Sequence, residues 1–322
     1  MVRNPGGCAE RGQAVIEASV VICAYTMERW DDLNAAVASV RDQTQTACEI
    51  ILVIDGNPEL QERAEREIEG VTVVSNNLHP GLCGGRMTGA GLARGQIIVF
   101  LDDDARADPR WLEELLLPYS SDRVLGVGGH IAPFWRADKP SWLPEEFYWV
   151  IGSTWKGYRV GPNGEIRNMT GANMSVRADV LRQAGGFTAE LGRLGGALGS
   201  ANTCDDTEFC IRAKKICGGE WIYRPQARVE HSVPASRTTW KYFVHRCRME
   251  GHSKAVISDL IGTQDGLASE RRYVFTLAGS VLGYMVRADF GKAFAVCYGL
   301  GVTTFAYLKT KRARARQGKQ QS

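Results

Sequence analysis

The run Ile97–Asp104, IIVFLDDD, constrains this chain more than any other stretch. Its apolar residues are mostly β-branched or aromatic and read as a strand buried on both faces. The strand stops in three consecutive carboxylates. Acids there lie at the carboxyl edge of a sheet, where open α/β sheets bind their ligands. Three adjacent acids also repel one another unless a cation or hydrogen-bond donors hold them. One reading is a solvated acidic turn leading to a helix start at Asp108-Pro109. The other, and the working expectation, is a site for a divalent cation and a diphosphate.

The preceding chain repeats the pattern. Val15–Ala24 reads as a first strand, followed by the polar loop Tyr25–Arg29. The next helix has Leu33, Ala36, Val37 and Val40 on one face, with Asp31 or Asp32 as its cap. A second buried strand, Glu49–Ile54, also ends in an acid, Asp55. A charged helix over Glu59–Glu69 and a short strand over Val71–Val74 follow. The stretch Gly81–Gly95, GLCGGRMTGAGLARG, carries neither GxGxxG nor GxxxxGK[ST], so both phosphate-loop fingerprints are absent. Its glycines would let a helix pack closely on the sheet. Arg86 among such small residues requires an anionic partner, either a ligand or a structural Asp. Strands and helices alternating at these lengths predict an α/β fold, a mainly parallel sheet flanked by helices.

The second half is less regular. A helix over Trp111–Tyr119 and a strand over Gly126–Ile131 lead into 133–168, crowded with Trp135, Trp142, Phe147, Tyr148, Trp149, Trp155 and Tyr158. That segment reads as the lining of a groove or as an aromatic satellite cluster. Small residues, Thr170–Val176, precede a helix over Ala178–Ala184. A glycine-bearing run, Gly192–Asn202, then leads to Asp205-Asp206 at the head of a helix over Thr207–Cys217. N-capping accounts for one of those acids; the pair suits a general base beneath a lid. Short strands over Trp221–Tyr223 and Arg228–Glu230 end at His231, structural or ligating. A polar helix spans 237–258.

Two apolar stretches, Tyr273–Val286 and Ala293–Leu308, are each shorter than the roughly 20 residues a bilayer span needs. Gly279 and Gly283 form a small-xxx-small pair suited to close helix contact. Lys309–Ser322 holds six basic residues and no acid. Peripheral attachment to anionic cytoplasmic lipid is the favoured reading, against a hairpin that covers the domain or forms a dimer interface. The net charge of +3 on 322 residues gives no reason to expect nucleic acid. Nine cysteines without a CxxC spacing fit a reduced, cytosolic compartment. Residues 1–14 read as a disordered lead-in without the apolar core of a signal peptide.

Taken in order, SVVICAYTMER, IILVIDGN, HPGLCGGRMTGAGLARG, FLDDDA, TGANMSVRADVLRQAGGF and CDDTEF resemble glycosyltransferase family 2 over about residues 17–255. The resemblance implies a GT-A (Rossmann-like) catalytic domain over 15–258, followed by an apolar helical segment, 259–308, and a basic tail, 309–322. It implies that Ala24, Tyr25 and Glu28 lie beside the nucleoside and that Asp55 bonds the base or ribose. Arg86 would approach the nucleotide or its phosphates. Asp102 and Asp104 look like the ends of the DxD motif, Asp102 on the ribose side and Asp104 holding Mg²⁺ or Mn²⁺. Asp103 is grouped with the nucleotide-sugar residues as a spacer turned into structure or toward Arg86. His231 matches a position that completes the cation site in some relatives. Asp206 looks like the base of the ED motif; Asp205 stands where Glu is usual, which leaves the choice between them open.

The function so implied is metal-dependent, inverting transfer of a sugar from a nucleotide donor, UDP-linked, to a lipid-linked or cell-envelope glycan at the inner face of the cell membrane. A nucleotidyltransferase is the enzyme rival, but VICAYTMERW lacks the glycine-rich basic loop such enzymes carry. A non-catalytic glycan-binding scaffold is the other, opposed by the presence of both acid clusters. Oligomeric state is left open.

Overall fold

A computed structural model describes residues 16–158, 160–188, 204–260, 262 and 268–321. The expected lead-in, 1–14, and the glycine run, 192–202, lie outside the described residues. Among the described residues nine strands form one sheet: β1 (Ala18–Ala24), β2 (Glu49–Ile54), β3 (Thr72–Ser75), β4 (Ile97–Asp102), β5 (Ala105–Ala107), β6 (Val124–Trp135), β7 (Glu165–Ile166), β8 (Asn173–Arg177) and β9 (Glu220–Val233). Their order is β3-β2-β1-β4-β8-β6-β9-β5, with β7 on β9. The first four strands pair in parallel, which aligns their carboxyl ends on one edge. β8 pairs antiparallel with both β4 and β6. It occupies what the sequence shows as small residues ahead of a helix, because Asn173, Ser175 and the apolar Met174 and Val176 all face interior surroundings.

The alternation in the central strands divides the core. Val20, Ile22, Leu52, Ile54, Val99 and Leu101 face one layer; Val21, Ile51, Val53, Ile98 and Phe100 face the other. Helices α1 (Trp30–Arg41), α2 (Pro58–Glu67) and α4 (Trp111–Leu116) cover the first side, and α3 (Leu82–Leu92), α5 (Ala178–Gln183) and α6 (Asp205–Cys217) the second. The buried face of α1 is Leu33, Ala36, Val37 and Val40, as its spacing predicts. Its cap differs from expectation. Asp31 and Asp32 sit inside the first turn, where they complement the helix dipole, and no side chain caps the end.

The two short strands expected around residue 225 are one strand. β9 follows β6 in parallel with a register jump, Gly129 opposite Arg224 and His130 opposite Arg228. The intervening Pro225 has no N–H to donate to a ladder, so a bulge forms there.

The aromatic segment is a third core rather than a groove lining. Phe147, Tyr148, Val150 and Ile151 bury themselves against Phe243 and Cys247 of α7 (Trp240–Leu260), Leu277 of α8 (Ala268–Val286) and Val296 of α9 (Phe290–Gln321). Glu146, with no exposed surface, fastens α8: its carboxylate accepts from Ser280 Oγ (2.6 Å) and Tyr284 OH (2.8 Å) and pairs with Lys156 (2.9 Å). The glycine pair of α8 serves no such contact, since a Cβ on Gly279 or Gly283 would meet nothing within 4 Å. Close approach occurs instead at Gly251, where a Cβ would lie 2.2 Å from the Thr303 carbonyl of α9. Among the described residues no helix is long and apolar enough to cross a membrane, and the cysteines are unpaired.

Candidate active site

The parallel half of the sheet brings Ala24, Asp55 and Asp102 to one edge. Ala24 is buried at the end of β1, Tyr25 is exposed beside it, and Arg29 lies over the Tyr25 ring at 5.6 Å. Glu28 is exposed, with its N–H on Thr26 Oγ1. Asp55 is committed to local structure: Oδ1 accepts from Asn76 Nδ2 (2.6 Å) and Oδ2 from the Gly81 N–H (2.8 Å). Those bonds shape the loop that starts α3.

Past β4 the chain turns back as β5, antiparallel to β9, with Ala105 opposite His231. The Ser232 N–H donates to the Asp104 carbonyl (2.8 Å), so a residue some 130 positions away is locked beside the acid triplet. The His231 Nε2 lies 3.1 Å from Asp104 Oδ1. The ring rests against Gly152, whose φ of +81° and lack of a Cβ, which would come within 2.9 Å of His231 Cε1, permit that approach.

Asp104 is further flanked by Arg29 (3.1 Å) and Arg237 (3.7 Å). Burial works against its charge, but His231, Arg29 and Arg237 outweigh it and hold the carboxyl well below the usual range. Asp103 turns to Arg29 (2.8 Å) and not toward Arg86. Burial, with Asp104 beside it, pushes the Asp103 carboxyl up to about 7 despite that pairing.

Asp102, Asp104 and His231 each offer a ligand atom, all within 4.8 Å of one another. Two carboxylates and an imidazole suit a divalent cation of the Mg²⁺ or Mn²⁺ kind. Among the described residues the buried Asp103 Oδ2 and His231 Nδ1 have no hydrogen-bond partner, which marks the pocket as incompletely satisfied by them. The residues fit a cation.

Arg86, 3% exposed, finds two aspartates as anionic partners. It reaches Asp102 (3.2 Å) with one nitrogen and Asp205 (3.3 Å) with another, tying the first acid cluster to the second. Its guanidinium fills the space where a Cβ on Gly171 would stand, 2.3 Å from it. The same Gly171 donates its N–H to Asp206 Oδ2 (3.1 Å). Both Asp205 and Asp206 lie in the first turn of α6, and neither caps it. N-capping therefore explains neither acid. Asp205 is buried and paired; Asp206 is partly exposed and has no arginine partner within ion-pair distance among the described residues. Burial, with Asp205 adjacent, pushes the Asp206 carboxyl up to about 7, against Arg86 and the N–H groups of Gly171 and Thr207.

An edge of aligned strand ends, a two-acid and histidine cluster, and a second acid pair beyond an arginine bridge invite comparison with known proteins. The profile of glycosyl transferase family 2 matches residues 19–185. The chain belongs to that family. It is a glycosyltransferase. A glucosyl-dolichyl phosphate glucuronosyltransferase of Haloferax volcanii is 36% identical over 253 residues, covering 77% of this chain and 79% of the relative. The probable N-acetylgalactosaminyltransferase 9 of Caenorhabditis elegans is 28% identical over 240 residues, and the match spans only 40% of that relative. Among solved structures, the mannosyltransferase PcManGT of Pyrobaculum calidifontis, in complex with GDP-Man and Mn²⁺, superposes with a TM-score of 0.54 at 17% identity, over 92% of this chain and 86% of that one. GalNAc-T7 with UDP, GalNAc and Mn²⁺ gives the same TM-score at 19% identity, over 80% and 53%. The fold is of the GT-A type. The transferase shares it with neighbours whose structures hold a nucleotide or nucleotide sugar together with Mn²⁺.

Arg29 and Arg237 were not among the residues that the sequence singles out. Arg29 directly follows Glu28 in the loop after β1, and its charge beside a strand end was the available signal. Arg237 gives none, since only the β5–β9 pairing brings it to Asp104.

Proposed function

We propose that this transferase moves a sugar from a nucleoside diphosphate donor, UDP-linked, to a hydroxyl of a lipid-linked glycan, with inversion at the anomeric carbon. The carrying observation is the arrangement of Asp206: partly exposed, without a cationic partner among the described residues, and joined through Asp205, Arg86 and Asp102 to the cluster of Asp102, Asp104 and His231. Asp206 accepts the proton of the acceptor hydroxyl while that oxygen forms its bond to the anomeric carbon and the bond to the diphosphate oxygen breaks. Asp205 is a positioning residue that orients Arg86. Asp102, Asp104 and His231 would hold Mg²⁺ or Mn²⁺, which supplies charge neutralisation for the leaving diphosphate. Ala24, Tyr25, Glu28 and Asp55 border the nucleoside side of the same edge. The lipid-linked acceptor is supported by the Haloferax relative, named for a glucosylated dolichyl phosphate. A lipid-linked acceptor supports a location at a membrane surface, taken as its cytoplasmic face.

A donor screen scored by release of UDP, GDP or dTDP in the presence of Mn²⁺ tests the assignment. UDP release is expected, and no release from any donor overturns it. The base has its own signature. With a carboxyl at about 7, kcat should rise about tenfold per pH unit below pH 7 and level off above it. A kcat that stays flat from about pH 5.5 to 8.5 removes Asp206 from the role.

A further inference from the structure

The exposed large apolar side chains of this transferase are concentrated on α8 and α9. On α9, Phe290 (61% exposed), Phe294 (58%), Tyr298, Phe305 (69%) and Leu308 recur at intervals of three, four or seven residues. Such intervals keep them on one side of a helix, in a stripe about 27 Å long. On α8, Phe275, Leu282 and Val286 recur in the same way and are each more than two-thirds exposed. The opposite sides of both helices are buried in the third core, and Glu146 ties α8 to the body. The stripes are therefore held outward on a fixed support.

Between α7 and α9 runs a groove of about 1000 Å³, walled by Phe294, Tyr298 and Phe305 and edged by Arg248 and Lys309. It touches none of the catalytic carboxylates.

The charge on this face decides what covers it. From Phe290 to Ser322 the sequence has seven lysines and arginines and no acid. Asp259 of α7 engages Lys311 and Arg314 (2.6 Å). Arg248, Lys309, Arg312 and Arg316 have no acidic partner among the described residues. A second copy stacked on the same face would set these cations against each other. An anionic lipid surface satisfies both the apolar stripe and the cations.

We propose that the outward faces of α8 and α9, with the α7–α9 groove, dock on an anionic lipid bilayer. The phenylalanines enter the acyl region while Arg248, Lys309, Arg312 and Arg316 lie among the headgroups. Docking leads back to the chemistry through α7. Its first residue, Trp240, stacks on Phe294 at 5.7 Å and follows Arg237, which stands 3.7 Å from Asp104, by three positions. The apolar end of the docking face thus adjoins the catalytic edge. The inference rests on the lipid-linked acceptor only for its purpose; docking is measured without donor or acceptor, so either reading can fail alone.

The test is cosedimentation of the full chain with vesicles of phosphatidylcholine alone or with about 30% phosphatidylglycerol. Wild-type protein should pellet preferentially with the anionic vesicles and dissociate in high salt. Phe290→Glu with Phe305→Glu should weaken binding at least tenfold, and Lys309→Glu with Arg316→Glu at least fivefold, with UDP release on a soluble acceptor unchanged. Circular dichroism checks folding, and the charge-reversal pair decides if the phenylalanine pair misfolds. Equal binding to both vesicle types, or none, overturns the proposal. So does a wild-type dimer that the phenylalanine pair dissociates while vesicle binding is lacking.

Discussion

Asp206→Asn is expected to lower kcat about 10²–10⁴-fold while leaving donor and Mn²⁺ binding within about twofold, since that is what a positioned general base contributes. The amide keeps the size of the side chain and an oxygen for the Gly171 N–H; what it loses is the capacity to take a proton. Asp205→Asn should act differently. Asp205 accepts from Arg86, which also holds Asp102, so that change should raise the donor KM more than it lowers kcat. The pair of variants resolves the order of roles within the acid pair. A near-normal kcat in Asp206→Asn, with collapse in Asp205→Asn, exchanges them.

The same substitution has a stability signature of fixed sign. The Asp206 carboxyl is raised to about 7 in the fold, above the ordinary value of an unfolded chain. Its favourable contribution is therefore present below that ordinary value and lost as pH rises through 7. Asp206→Asn should melt a few degrees higher than wild type at pH 8, with the gain shrinking toward pH 4. Such a trade, stability given up at a functional carboxylate, is common where a site needs a perturbed group.

What could be read in the sequence divides along physical lines. Continuous apolar, β-branched runs located β1, β2 and β4, and helical periodicity located α1, because burial there is set by local sequence. β8 escaped because Asn173 and Ser175 are polar yet buried: Asn173 accepts from Trp111 Nε1 (2.8 Å) and donates to the carbonyls of His130 and Ala227. Polar residues satisfied by distant partners look like a loop in one dimension. The acids at 102, 104, 205 and 206 were legible as clusters, yet their partners were not. Asp103 meets Arg29 across 74 positions, and Arg86 bridges two clusters 103 residues apart. Only tertiary pairing creates those contacts. The aromatic segment shows the converse, local richness that serves packing.

Asp104→Asn is expected to weaken Mn²⁺ binding more than a hundredfold and to lower transfer at least a thousandfold. Asp104 is the most heavily engaged member of the cluster, touching His231, Arg29 and Arg237 at once. Arg29 and Arg237 pair with it, so a divalent ion entering here competes with two guanidinium groups for one carboxylate. Its affinity must come from full negative charge at that position, which the amide lacks. Asp103→Asn provides the contrast. It removes a partner of Arg29 but no ligand atom of the cluster, and should change Mn²⁺ affinity less than about tenfold, in keeping with a residue that only supports the ligands. Free Mn²⁺ counted by electron paramagnetic resonance gives the affinities without reference to turnover, and a thermal melt confirms that each variant is folded. Mn²⁺ affinity in Asp104→Asn within about threefold of wild type would move the cation away from this cluster.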